Sequence, residues 1–229
     1  VFYLYFHCYN KNMKKILTFD CYGTLLDTSS LYDLIGNIAK TNNLSSIETI
    51  HIFSSYEDRL MYGEPFISYE QLIKNVLSYC DMELKTSLFS NYYDAIMKAH
   101  QEFPVFDDVM PCLTSLKEKG YELALMSNIT NSLMKYHLLK MNNIFDYVLT
   151  SDETKCYKPN LEFFRLAEIK FDLINKDHTH IAKGYWWDIV PAARMNWNKI
   201  WIDRSHIKVG RNNEKPYTII PNLTKLTLL

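Results

Sequence analysis

The chain is poor in the residues that interrupt regular structure, with 6 glycines and 7 prolines among 229 residues. So few breakers exclude a collagen-like, low-complexity or linker-dominated architecture. Cysteine is also scarce and unpatterned. The five, Cys8, Cys21, Cys80, Cys112 and Cys156, are odd in number and include no CxxC pair. That argues against a disulfide framework or a thiolate zinc site, and for a reducing, cytoplasmic setting. Neither charge is in surplus: 25 Lys and Arg face 26 Asp and Glu, for a net charge of −1 and a pI of about 6.7. This balance provides no electrostatic footprint for nucleic acid or an anionic membrane. No apolar run approaches the ~20 residues of a membrane-spanning helix. The opening stretch VFYLYFHCY lacks a preceding basic residue and a small-residue cleavage site, so it makes a poor signal peptide. Met13, which opens MKKILTFD, is the expected natural start, with residues 1–12 a non-native or disordered extension.

What is present is a globular composition, 48% hydrophobic and 22% charged. A chain of this length buries about 70% of its unfolded surface and needs no covalent staples. Five short apolar runs read as strands: Ile16–Phe19, Leu123–Met126, Tyr147–Thr150, His180–Ala182 and Ile200–Ile202. Most are continuous hydrophobics, as in a parallel sheet covered on both faces. Helical segments are expected at Val109–Lys119, Asn131–Met141, Leu161–Ile169 and Ile189–Asn196, each with start or stop signals. The alternation predicts an α/β fold with a Rossmann-like parallel-sheet core. Residues 29–101 break the rhythm with helical periodicity and no convincing strand. They are expected to form an inserted all-helical cap, with residues 13–28 and 102–229 as the core. A cap over a site excludes water and adds substrate contacts.

Ligands of open α/β sheets bind beyond the carboxyl ends of the strands. Asp20 with Tyr22 and Thr24 (FDCYGTLLD) follows the first expected strand, and Ser127-Asn128 follows the second. Lys158 (YKP) lies beyond the third and Asp188 (WWDIVPA) beyond the fourth. Ser127 to Lys158 is 31 positions and Lys158 to Asp188 is 30, each close to the ~30 residues of one βαβ unit. Asp20 to Ser127 is 107 positions, which requires the inserted cap. Each string alone is common; their order and spacing deliver an acid, a hydroxyl, a lysine and a second acid to one sheet edge.

This order of motifs resembles the haloacid dehalogenase superfamily of hydrolases from Met13 to about Arg204. The DxYGTLxD form of the first motif, with YKP, WWDIVPA and WIDR, is most similar to its 2-haloacid dehalogenase-type branch. The resemblance implies that Asp20 is a nucleophile forming a covalent ester, and that Thr24 steadies its carboxylate. Ser127 and Asn128 would donate to the substrate anion or leaving group, Lys158 would keep the nucleophile ionised, and Asp188 would position the lysine. A carboxylate nucleophile must be ionised, and an ammonium within ~4–6 Å would depress its pKa by about 1–3 units.

Phosphatases of the superfamily resemble DxDGT, with a general acid two positions after the nucleophile. Here that position is Tyr22, and a phenol of pKa ≈ 10 is a poor proton shuttle near neutrality. Halide leaves as a stable anion and needs no such acid. The expected function is therefore a 2-haloacid dehalogenase-type hydrolase acting on a small carboxylate-bearing substrate, without a cofactor, as a monomer or homodimer. The alternatives are a Mg²⁺-dependent phosphatase, with Asp20, Tyr22 and Asp188 at the metal, or a catalytically altered binding protein. Three positions depart from the dehalogenase pattern. No Arg stands between Asp20 and Arg59 where relatives grip the substrate anion. Phe164 replaces a Tyr, and Tyr185 replaces an Asn.

Other signals read as structural. His178 and His180 lack a third metal ligand or an HExxH motif. Ser127 lacks a GxSxG elbow. Cys21 reads as a small packed residue, and Glu57 and Arg59 (YEDRLM) as a solvated helix face. The composition includes 12 Phe, 17 Tyr and 4 Trp, and all four Trp fall between positions 186 and 201. Tyr22, Tyr185 and Trp187 are the expected substrate contacts, in a pocket drier than that of a phosphatase.

Overall fold

The computed structural model describes residues 14–63, 65–206 and 212–228. The expected extension at residues 1–12 lies outside the described residues. In chain order the regular elements are β1 (Lys15–Phe19), α1 (Ser29–Thr41), α2 (Ser46–Met61), α3 (Tyr69–Glu83), α4 (Tyr93–Glu102), α5 (Val109–Glu118) and β2 (Glu122–Ser127). Then follow α6 (Asn131–Lys140), β3 (Tyr147–Thr150), α7 (Ser151–Thr154), α8 (Leu161–Phe171), β4 (Asp177–Ala182), α9 (Val190–Arg194), β5 (Asn198–Ile202) and β6 (Thr218–Ile220). Short 3₁₀ turns fill several of the connections.

The strands form one six-stranded sheet in the order β3-β2-β1-β4-β5-β6, and every pairing is parallel. The chain winds outward from β1 to β3, then returns to place β4 on the other flank of β1. The crevice between β1 and β4 is therefore the topological switch point, where such sheets bind ligands. The five expected strands are present. The sixth, β6, was not expected: it is a three-residue edge strand with two exposed residues, and too short for an apolar pattern.

Alternation along the strands sorts the core into two layers. Leu17, Phe19, Leu123 and Leu125 face one layer. Ile16, Ala124 and Met126 face the other, with Phe163, Phe164 and Phe171 of α8. Both faces being covered explains why the strands read as continuous apolar runs.

The described residues of 29–102 carry helices and no strand. Helix α1 buries Leu31, Ile35, Ile38 and Ala39 on one stripe, and α3 buries Leu72, Ile73, Val76, Leu77 and Cys80. Ser45 and Ser68 cap α2 and α3 by accepting from the backbone N–H of Glu48 and Gln71, each at 3.3 Å, which satisfies orphan first-turn donors. The chain leaves and rejoins the core at neighbouring points. Asp27 N–H donates to the Pro104 carbonyl at 2.9 Å, and Phe106 N–H to the Leu25 carbonyl at 3.0 Å.

With glycine scarce, left-handed turns fall to polar residues. Asn43, Asn142, Asn143 and Asn196 have φ of 59°, 54°, 50° and 56°, a region that short polar side chains tolerate better than most. The helix expected at Ile189–Asn196 takes a different form. A π-helical turn spans Tyr185–Ile189 and runs into the five-residue α9. The Gly184 carbonyl accepts from both Asp188 N–H (2.9 Å) and Ile189 N–H (3.2 Å). This widened turn aims Asp188 back at the strand ends.

Candidate active site

The four strand ends meet. Lys158 Nζ lies 2.8 Å from Asp20 Oδ1 and 2.7 Å from Asp188 Oδ1, and donates to the Met126 carbonyl at 3.1 Å. Thr24 donates to Asp20 Oδ2 at 2.6 Å and accepts from Lys183 N–H at 2.8 Å. Every member is buried: Lys158 and Asp188 are each 1% exposed and Asp20 8%. One ammonium thus serves two carboxylates in a low-dielectric crevice. Attraction at this separation is strong there, and removing the cation would leave an uncompensated charge.

The two acids respond differently. Lys158 pulls Asp20 down, as proximity predicts, but does not set the net direction. Desolvation of Asp20 outweighs the Lys158 charge, Asp188 adds repulsion, and the carboxyl is raised above its ordinary value. Asp188 is equally buried, but Lys158 and a bond from His180 overcome desolvation and hold it below the ordinary range. Lys158 is raised: burial opposes its charge, and the two carboxylates more than restore it.

Asn128 and Ser127 differ in role. Asn128 Nδ2 donates to the Lys158 carbonyl at 3.0 Å and its Oδ1 accepts from Lys158 N–H at 2.7 Å. One hydrogen of that amide clamps the lysine's backbone, and Asn128 also lines the cavity. Ser127 lines the cavity beside Asp20.

Behind Asp188 runs a buried relay of the two histidines expected to be structural. His180 Nε2 lies 3.1 Å from Asp188 Oδ1, His180 Nδ1 2.8 Å from Thr18 Oγ1, and His178 Nε2 3.0 Å from the same hydroxyl. A carboxylate can only accept, so His180 Nε2 carries hydrogen. Thr18 has one hydrogen to give, so it donates to one of the two rings and accepts from the other. All three bonds can be made with an ionised Asp188 and no more hydrogens than neutral imidazoles carry. Burial, with His180 nearby, pushes His178 down to about 3, consistent with its neutral form. The signal for the relay was the H-x-H alternation beside Thr18, which cross-strand register sets opposite His180.

Above the carboxylates lies a cavity of about 180 Å³. Tyr22 and Trp187 line it. The Tyr22 hydroxyl lies 3.0 Å from His137 Nε2, and burial pushes its phenol well above its ordinary value. Trp187 stacks on Tyr62 of the cap at 5.3 Å, and Trp186 bonds the Tyr62 hydroxyl. Two expectations are corrected. Tyr185 is not among the cavity-lining residues; its hydroxyl donates to Glu214 at 3.0 Å and its ring packs on Trp201 at 4.9 Å, because the π-turn points it away. Phe164 is fully buried in the layer beneath the sheet, edge-on to His180 at 6.0 Å.

Glu57 corrects a third reading. Arg59 is exposed, with its guanidinium 5.2 Å from the centre of the Tyr56 ring. Glu57, however, lines the cavity with Asp58, Tyr69 and His100. Nothing in YEDRLM distinguished it, because its partners come from α3 and α4. Cys21 is fully buried as expected, and burial beside Asp20 pushes its thiol up.

The site does not suit a divalent cation. Asp20, Tyr22 and Asp188 were the expected ligands under a phosphatase reading. Lys158 Nζ already occupies the space between the two carboxylates, and Asp20 Oδ2 accepts from Thr24. Among the described residues no cluster of three or more His, Cys, Asp or Glu could hold a metal ion. No helix among them is long and apolar enough to cross a membrane.

Residues 14–195 match the model of the haloacid dehalogenase-like hydrolases. The chain is 25% identical over 196 residues to (S)-2-haloacid dehalogenase 4A of Burkholderia cepacia, covering 83% of each chain. It is 23% identical to haloacetate dehalogenase H-2 of Moraxella sp. (strain B), covering 91% of this chain and 95% of that one. Its fold superposes on a crystal structure of an L-2-haloacid dehalogenase with a TM-score of 0.83 at 19% identity, over 95% of this chain and 98% of that one.

Proposed function

The chain belongs to the haloacid dehalogenase-like hydrolases, and from that premise we propose that it displaces halide from a small 2-halocarboxylic acid through a covalent ester on Asp20. One Asp20 carboxylate oxygen attacks the halogen-bearing carbon; a C–O bond forms, the C–halogen bond breaks, and halide departs with the electron pair. Water then adds at the Asp20 carboxyl carbon, releasing the 2-hydroxy acid, regenerating the carboxylate and yielding a proton. Splitting one displacement into two steps lowers the barrier. The observation that carries this reading is Lys158 bridging Asp20 and Asp188 at 2.8 and 2.7 Å. The cation offsets part of the desolvation that raises Asp20, in favour of the ionised form a carboxylate nucleophile needs.

Thr24 fixes the second Asp20 oxygen at 2.6 Å, which orients the first. Tyr22, held by His137, is no proton donor near neutrality, and a halide leaving group requires none. The dehalogenase names of the relatives point the same way. The test is halide release from (S)-2-chloropropionate in the presence of chelator, with mass spectrometry of the protein stopped during turnover. Asp20→Asn is expected to lower turnover by at least about 10⁴-fold, as expected for loss of a covalent nucleophile. Absence of halide release from the wild-type chain sinks the proposal.

A further inference from the structure

A second ionisable group shares the cavity with Asp20. Glu57 Oε1 stands 2.6 Å from the Tyr69 hydroxyl, which in turn stands 3.0 Å from His100 Nε2. The other nitrogen of that ring, Nδ1, lies 2.7 Å from the Ile96 carbonyl oxygen. A carbonyl only accepts, so Nδ1 carries a hydrogen.

The hydrogens can then be counted. If the imidazole is neutral, Nε2 has a lone pair and takes Tyr69's only hydrogen. The contact between Tyr69 and Glu57 is then a bond only if Glu57 is a carboxylic acid donating to the tyrosine oxygen. If Glu57 is ionised, Tyr69 donates to it and His100 must be an imidazolium. An ionised Glu57 beside a neutral His100 sets two lone pairs against each other at one of the two contacts, and Tyr69 and His100 are 1% and 0% exposed. The cost of such an unpaired buried group is high. Satisfying every contact of the three residues therefore takes one proton more than a carboxylate, a phenol and a neutral imidazole carry, and in that state their net charge is zero.

Burial decides where that proton rests. Desolvation pushes His100 down to about 4. It pushes Glu57 up to about 7, with the Tyr69 bond opposing and Asp58 adding. The proton sits on Glu57 below neutrality. The other titratable groups around Glu57 are Asp58 beside it, Tyr32 of α1, Tyr22 after β1, and Tyr157, with the Asp20–Lys158–Asp188 cluster across the cavity. The cavity-lining cation of that set, Lys158, is already shared between two carboxylates, and no arginine lines the cavity among the described residues.

We propose that Glu57, Tyr69 and His100 act as one proton-sharing unit whose zero net charge lets an anionic substrate settle over Asp20, and whose single ionisation closes the cavity to it. Glu57 is on this account a specificity-determining residue, and the inference rests on the 2-haloacid reading above for its substrate. A negative charge placed on the wall of so small a cavity disfavours a bound carboxylate by on the order of tenfold.

The test has two arms. In the first, the wild-type chain with ¹³C-labelled glutamate and ¹⁵N-labelled histidine is titrated by NMR, with Glu57 assigned by its loss in Glu57→Gln. Glu57 is expected to titrate near neutrality while His100 stays a neutral Nδ1–H tautomer. A Glu57 midpoint in the ordinary carboxylate range, or an imidazolium His100 at about pH 6, overturns the proposal. In the second, KM for 2-chloropropionate is compared with that for the uncharged 2-chloropropionamide. From about pH 6 to about pH 8 the KM of the anion is expected to rise on the order of tenfold and that of the amide to stay flat. In Glu57→Gln, whose amide can donate to Tyr69 as the acid does, the anion's KM is expected to be flat too. Parallel shifts for both substrates, or a pH dependence that survives in Glu57→Gln, overturn it. Should neither substrate release halide, the dehalogenase reading fails and the NMR titration still decides the proton's place.

Discussion

Two hydrogen-bonded chains flank the cavity, and they differ in one proton. The core chain, His178–Thr18–His180–Asp188, closes with neutral rings and an ionised carboxylate. The cap chain, His100–Tyr69–Glu57, has nearly the same parts but closes only with an added proton. The difference lies at the acid. Asp188 has the Lys158 ammonium at 2.7 Å and stays charged, whereas Glu57 has desolvation and the neighbouring charge of Asp58 and is pushed towards its acid form. A carboxylic acid linked to histidine through hydrogen bonds becomes a fixed counter-charge on one side and a titrating wall on the other. Placement of a single cation decides which.

The largest expected break in this comparison comes from Lys158→Met. It leaves Asp20 and Asp188 buried without their cation and is expected to cost about 3–5 kcal/mol in chemical denaturation, making the core chain as proton-hungry as the cap chain. Gly184→Ala follows. A Cβ there would press against Asp188 Oδ2 more closely than real side chains approach, so Asp188 must move; folding is expected to weaken by about 1–3 kcal/mol, with turnover falling alongside.

Smaller effects separate the two chains. His180→Gln is expected to cost about 1–3 kcal/mol by disturbing the donor to ionised Asp188, and Tyr69→Phe about 1 kcal/mol. Denaturation midpoints of the two at neutral pH check the order, and equal costs would erase the distinction. The smallest effect is in the pH dependence of thermal stability. His100, His137 and His178 are depressed to about 4, about 4 and about 3 from an ordinary 6.5. The folded state binds fewer protons there, so their stabilisation is lost as pH falls below about 6.5. Glu57 is raised from 4.5 to about 7. Its contribution is complete at low pH and is lost as pH rises through that interval. The two trends oppose each other in the wild-type chain, so Glu57→Gln is expected to show a steeper rise in melting temperature between about pH 5 and about pH 7.

Much of this was legible beforehand, and the boundary follows the range of the interactions. Asp20, Lys158 and Asp188 could be placed because each follows an apolar run at βαβ spacing, and a parallel sheet brings such positions to one edge. Trp187 and Tyr22 could be placed because they adjoin those acids in the chain. Tyr185 could not, because whether a residue three before Asp188 faces the cavity depends on the π-turn held by the Gly184 carbonyl. Phe164 looked like a substitution at the site and instead lies beneath the sheet. Glu57 was invisible as a site residue, since YEDRLM has the composition of a solvated helix and its partners stand 12 and 43 positions away.

The sequence by itself determined the α/β sheet, the helical insertion after β1 and the set of charged residues at the strand ends, because periodicity and spacing are local properties that burial enforces. Only the tertiary structure decided how those charges behave. It raised Asp20 where a nearby lysine alone would have lowered it, tied Asn128 to the lysine's backbone, and turned a scarcity of cations in the cavity into an added proton on the cap. Desolvation and hydrogen-bond direction depend on what packs against a group from every side, and no spacing along the chain encodes that.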